Sequence, residues 1–265
     1  MRAATTAPTL DPTSHRALDR LRVEYAKLRR LRLGPILLVG ALATVLMAAM
    51  QLFSGSYRET IAAPTAQHWE GLLLWYLLVK ALTTPLVVAV LASRAVEIEH
   101  LGNGWTAAAL DGVRRGSLTG VKVAALAPLL VGAVVAEMLV LVLASLAAGA
   151  TPPPVGVWLG TGAAVAVLTC VLLAGHAWLA ARVDNQLVGL GIGVIGAFAG
   201  GFSMLMPDWL VRVIPWGWFA LVSPYRMDGA GYADVDPHWG WLTALLLVLC
   251  LVLAGGYVRL NRQEA

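Results

Sequence analysis

Six runs of mostly apolar residues, at 35–53, 71–92, 123–149, 158–181, 187–206 and 239–257, alternate with shorter polar segments. Each is close to the roughly 20 residues a helix needs to cross about 30 Å of hydrocarbon. None shows the period-two alternation of a half-buried strand, and an open sheet in lipid would leave backbone groups unpaired. Before the first run, Leu18, Leu21, Tyr25, Leu28 and Leu31 recur at three- and four-residue spacing, with arginines and Lys27 on the other side. That stripe predicts an amphipathic helix over 14–34, lying on the membrane surface. Residues 1–13, rich in Ala, Thr and Pro, read as a disordered tail. The expected architecture is therefore an all-α membrane protein, with a six-span domain over 35–265 behind an interfacial helix. The first apolar run follows a long arginine-rich segment and is long enough to span, so no signal peptide is expected.

Composition strengthens this reading. The chain of 265 residues is 59% hydrophobic and 13% charged, against about 45–50% and about 25% in ordinary globular proteins. The net charge of +4 matters less than its placement. With both termini inside, the inner segments hold most of the lysine and arginine, and the outer ones only Arg58, Arg212 and Arg226. The positive-inside rule then predicts cytoplasmic termini and a cytoplasmic 93–122 loop, as in a multi-pass protein of a bacterial inner membrane. Basic residues that flank apolar runs do not form a nucleic-acid stripe, so no nucleic-acid partner is expected. Cys170 and Cys250 lie inside apolar runs without ligand spacing, and read as small buried hydrophobes; no metal site is expected.

The loop 93–122 is long for a connector, which usually takes about 2–8 residues. It opens with Glu97 and Glu99, passes Trp105 and a small-residue helical stretch, and ends with Arg114, Arg115 and Lys122. A docking element is the expected role. The sequence holds no G-x-x-x-x-G-K-[ST] and no soluble domain to carry one, so ATP chemistry would belong to a partner. Gly191, Gly193 and Gly196 match G-x-G-x-x-G literally. They lie within an apolar run with no preceding strand, which excludes a dinucleotide fold. Gly189, Gly193, Gly196 and Gly200 instead make a small-residue ridge for close helix packing, within the subunit or against a second one.

The E-x-E-H-x-x-x-x-W segment beginning at Glu97, the basic pair and the lysine opening the third run together resemble the type-2 ABC permeases. The likeness is greatest to their lantibiotic-immunity and peptide-antibiotic-resistance branch. V-E-Y-A-K-L-R-R over 23–30, the stretch 175–191 with His176, Trp178, Asn185 and Gln186, and P-W-x-W…S-P over 215–224 resemble other parts of that family. The resemblance implies a permease that dimerises with itself or a sister subunit, binds ABC ATPase subunits and moves a hydrophobic or amphiphilic molecule, such as an antimicrobial peptide, outward. It places Glu97, Glu99, Trp105, Arg114 and Arg115 at or near the ATPase contact. It implies no cofactor on this chain, with ATP and Mg on the partner, and short re-entrant helices over 207–238.

Two ionisable residues fall deep in apolar runs. Lys80 and Glu137 lie about 18 Å and about 21 Å from the inner ends of consecutive antiparallel helices. An ion pair would offset the roughly 2.5–3.5 kcal/mol that each charge costs in the membrane; a role for Glu137 in the pathway is the other reading. His176 reads as a hydrogen-bonded packing residue. The aromatics of 207–238 read as an interfacial belt. An ion-coupled secondary transporter would need several buried acids and paired broken helices, and a membrane enzyme a polar cluster at one leaflet. A non-transporting scaffold is the third alternative. The sequence favours a permease that is not itself an enzyme.

Overall fold

The computed structural model describes residues 12–55, 61, 67–229 and 231–262, with side chains from residue 19 on. The expected tail thus falls almost wholly outside the described residues. Helix α1 (Pro12–Arg30) leads into α2 (Leu33–Ala49), which a 3-10 turn, Met50–Phe53, prolongs. Next come α3 (His68–Leu101), the short α4 (Gly104–Leu110), α5 (Arg115–Ala147), α6 (Val155–Arg182) and α7 (Gln186–Gly201). Short helices α8 (Asp208–Val213) and α9 (Trp218–Leu221), separated by a 3-10 turn, precede β1 (Tyr225–Asp228) and β2 (Gly231–Asp234). Helix α10 (Trp239–Arg262) ends the described fold.

Five of the described helices are long and apolar enough to cross a membrane: α2 with its 3-10 extension, α3, α5, α6 and α10. The expected span 187–206 differs. Its helix, α7, has 16 residues, about 24 Å at 1.5 Å per residue. It ends at paired glycines, where Ser203 Oγ donates to Gly200 O at 2.6 Å and occupies a carbonyl that would otherwise be left unpaired at the helix end. The all-α expectation also needs one amendment. Strands β1 and β2 form an antiparallel hairpin, with Tyr225 opposite Asp234 and Met227 opposite Tyr232. Gly229, which follows the last paired residue Asp228 and takes φ 58°, is the hairpin-turn signal that the helical reading passed over. Gln67, just before α3, grips the hairpin through Nε2–H to Tyr232 O (2.7 Å) and Oε1 from Tyr232 N–H (2.8 Å).

Helix α3 is the centre of the bundle, buried along most of its length through Leu72, Tyr76, Leu77, Val88 and Leu91. Helices α2 and α10 are peripheral and turn Leu38, Leu42, Leu46, Leu247 and Leu251 outward, as lipid-facing helices do. Cys250 is exposed on α10 and Cys170 partly so on α6, so neither is the fully buried hydrophobe expected. At one end Val96, Ala181 and Leu260 form a small cluster with Trp105 and Trp178. The basic ends of α3, α5, α6 and α10 therefore gather on one side. On the other, Trp69 Nε1 donates to Thr151 O at 3.0 Å and stacks edge-on with Trp158.

Part of the apolar stripe of α1 meets protein. Leu28 is buried, Leu21 and Leu31 pack on the core, and Tyr25 points outward. Beyond Leu31, Arg32 adopts the left-handed conformation (φ 55°, ψ 37°) and turns the chain into α2.

Three residues of the glycine ridge pack within this subunit. A methyl on Gly193 would strike Ala89, and one on Gly196 the indole of Trp216. A methyl on Gly200 would strike Ala81 O on α3. That carbonyl lacks its usual helical donor because residue 85 is proline. Gly189 meets nothing within 4 Å. Gly200→Ala is expected to cost about 2–3 kcal/mol, since the obstruction is backbone and no rotamer relieves it. Gly191→Ala faces open space and gains up to about 1 kcal/mol of helix propensity. Thermal midpoints of the two variants in the same detergent should fall on opposite sides of wild type.

Candidate functional site

The loop 93–122 is mostly helix. Helix α3 runs on to Leu101, α4 caps the turn, and α5 starts at Arg115. Asn103 makes the corner between α3 and α4 at φ 51°, a left-handed position that asparagine tolerates better than most residues.

Behind this corner lies a ring of four charges. Lys122 Nζ donates to Glu24 Oε2 (2.8 Å) and Glu99 Oε1 (2.7 Å). Lys27 Nζ donates to Glu24 Oε1 and Glu99 Oε1, both at 2.8 Å. Two ammonium groups and two carboxylates alternate and cancel, which is what makes such burial tolerable. Lys122 is 1% exposed and Glu99 3%. Burial opposes the charge on Lys27, but the two carboxylates outweigh it and hold the ammonium above the ordinary lysine range. The ring ties α1, α3 and α5 together. Sequence reasoning missed Glu24 and Lys27 as its members. The signal was present: Glu24 sits at stripe spacing between Leu21 and Leu28, an acid on an apolar face in need of a partner.

The expected contact residues divide accordingly. Glu99 lies inside the ring, buried behind the corner. Trp105 is half-buried: its Nε1–H donates to His100 Nδ1 (3.2 Å), and the Arg115 guanidinium lies 4.7 Å over its ring. Arg115 also donates to Ala181 O. Glu97 pairs with Arg94 at 3.3 Å near the surface, and Arg114 is exposed. The outward tip is apolar instead, with Leu101 79% and Leu110 85% exposed. His100 Nε2 lies 3.0 Å from Ala180 O, and its Nδ1 2.7 Å from Asp184 Oδ1.

The model of the ABC-2 family transporter proteins matches residues 20–200, from α1 through most of α7. The chain belongs to that family. No curated protein matches it. As an ABC-2 permease it is a multi-pass membrane transport subunit, of a family that works with ATPase subunits.

Inside the permease the structure brings Lys80 and Glu137 together. Lys80 Nζ lies 3.0 Å from Glu137 Oε2, and Tyr76 O–H donates to the same oxygen at 3.1 Å. They border a cavity of about 10 Å³ shared with Thr44, Thr84 and Thr169, the size of one water. Thr84 Oγ1 has no partner among the described residues.

Proposed function

We propose that this permease is the membrane subunit of an ATP-driven exporter in a bacterial inner membrane, dimerising with itself or a sister chain. Separate ATPase subunits supply ATP and Mg chemistry and dock on the side where the basic helix ends gather, read as the cytoplasm. The substrate is hydrophobic or amphiphilic, and the resemblance to the peptide-antibiotic-resistance branch favours an antimicrobial peptide. The observation that carries this reading is α4: a short helix joining two long ones, with Leu110 bare at its end, Leu101 bare just before it and a buried charge ring behind it. An exposed leucine on a braced helix suits insertion into a partner groove, where few residues dominate the binding energy.

Leu110→Asp is expected to leave the protein folded in the membrane while weakening ATPase binding about 30-fold, near the 2 kcal/mol of an interface hot spot. Export of a peptide antibiotic by the reconstituted complex should fall with it. Unchanged ATPase capture by Leu110→Asp and Leu101→Asp would rule α4 out as the contact. The buried Lys80–Glu137 pair is the feature that favours an ion-coupled carrier instead. Uptake into vesicles driven by an ion gradient without ATP would establish that reading.

A further inference from the structure

Helix α1 buries one side and leaves a basic one bare. Among the described side chains Arg20, Arg22, Arg29 and Arg30 are exposed, as is Arg32 at the corner with α2. The exposed acid of the same stretch, Asp19, is already paired with Arg22, and Glu24 is held inside the ring. Arg29, Arg30 and Arg32 have no ion-pair partner among the described residues. Their backbone is nevertheless fixed. Leu28 and Leu33, on either side of them, are buried, Leu31 packs on the core, and Arg32 N–H donates to Arg29 O at 3.1 Å as the chain turns. Three guanidinium groups within four residues repel one another until an anion sits among them.

Their level identifies the anion. Leu38 is 59% exposed and begins the outward row of α2 that continues through Val39, Leu42 and Leu46. It lies six residues past Arg32, about 9 Å along the helix, and the headgroup layer of one leaflet is roughly 5–8 Å deep. An arginine side chain spans the difference, so the three guanidinium groups reach the depth of lipid phosphate, whose oxygens their planar fork matches. We infer that the corner between α1 and α2 binds the phosphate of an anionic phospholipid in the leaflet at the basic side of the bundle, with the acyl chains along Leu38, Val39 and Leu42. A zwitterionic lipid is disfavoured, because its ammonium group brings a further positive charge to the same corner.

The test places the full chain in nanodiscs of equal parts phosphatidylglycerol and phosphatidylcholine, one of the two carrying a diazirine on its acyl chain. Labelling of residues 29–42 should favour phosphatidylglycerol at least about tenfold, since each arginine near an anionic surface is worth about fivefold in affinity. The preference should shrink as salt rises. Arg29→Gln, Arg30→Gln and Arg32→Gln together should bring it close to unity, whereas the same three changed to lysine should keep most of it. Arg20→Gln with Arg22→Gln, at least about 15 Å along the helix from Arg32, should leave it nearly unchanged; an equal loss per arginine would mean diffuse attraction to all of α1 and overturn the site. If the glutamine triple fails to fold, salt decides: a wild-type preference that salt does not move overturns the proposal. Equal labelling by the two lipids does so as well. Inorganic phosphate should displace the lipid no better than chloride at equal ionic strength, and stronger displacement would make free phosphate the ligand. A glutamine triple that keeps the lipid preference but loses its co-purifying ATPase would give this face to the protein partner instead.

Discussion

Lys122→Met is expected to remove most of the folded protein, with a loss of about 3–5 kcal/mol, the usual cost of stripping one partner from a buried ion pair. The reason is local arithmetic. Lys122 is the buried corner of the ring, and without it Glu24 and Glu99 share the single charge of Lys27. Removing a carboxylate as well restores balance. Lys122→Met with Glu99→Met leaves the Glu24–Lys27 pair intact and should recover most of the yield. The fraction of monodisperse protein after detergent extraction reads the effect. Arg22→Ala breaks only an exposed pair with Asp19 and serves as the control, worth about 0–1 kcal/mol. A double variant no better than Lys122→Met would show that charge balance is not what the ring contributes.

A similar loss is expected for Lys80→Leu, because Glu137 then keeps its charge in the membrane with only the Tyr76 hydroxyl to meet it. Glu137→Gln in the same chain removes that charge while its amide oxygen still accepts from Tyr76. Lys80→Leu with Glu137→Gln should therefore fold nearly as wild type, and a double-mutant cycle should give a coupling energy of at least about 2 kcal/mol. A coupling energy near zero would mean that the two charges find other partners. Full folding with transport lost would assign the pair to the pathway.

Much of this was readable from the sequence. Apolar runs long enough to span predict α2, α3, α5, α6 and α10, because span length and composition are both dictated by lipid. The depth of Lys80 and Glu137 was legible too, since rise per residue converts position into height. What sequence spacing does not carry is which face of a helix meets which neighbour. Hence the stripe of α1 does not reveal that Glu24 and Leu28 are buried against the bundle. Nor does spacing reveal that Glu99 meets Lys27, which lies 72 residues away in sequence and within 2.8 Å in space. The loop residues Leu101 and Leu110 carry no motif, and only their exposure distinguishes them. The missed hairpin has a different cause: four-residue strands leave too little alternation to outweigh the aromatic content around them.

The pairing of Lys80 with Glu137 fastens α3 to α5 off-centre. Along α3 the pair lies about 32 Å from Leu101 and about 18 Å from His68 at 1.5 Å per residue. Any tilt of α3 about that point makes it an unequal lever, on which a displacement of about 5 Å beside α4 becomes one of about 3 Å at the far end. Force is multiplied in the same ratio that travel is reduced. Pro85 would be the weak place on the long arm, but α7 splints it, with Gly193 and Gly200 seated on the carbonyls of Pro85 and Ala81. A gearing of nearly two to one, with its bearing in the membrane and its stiffener on the neighbouring helix, suits a machine that takes a large stroke at one face and delivers a short, strong one at the other.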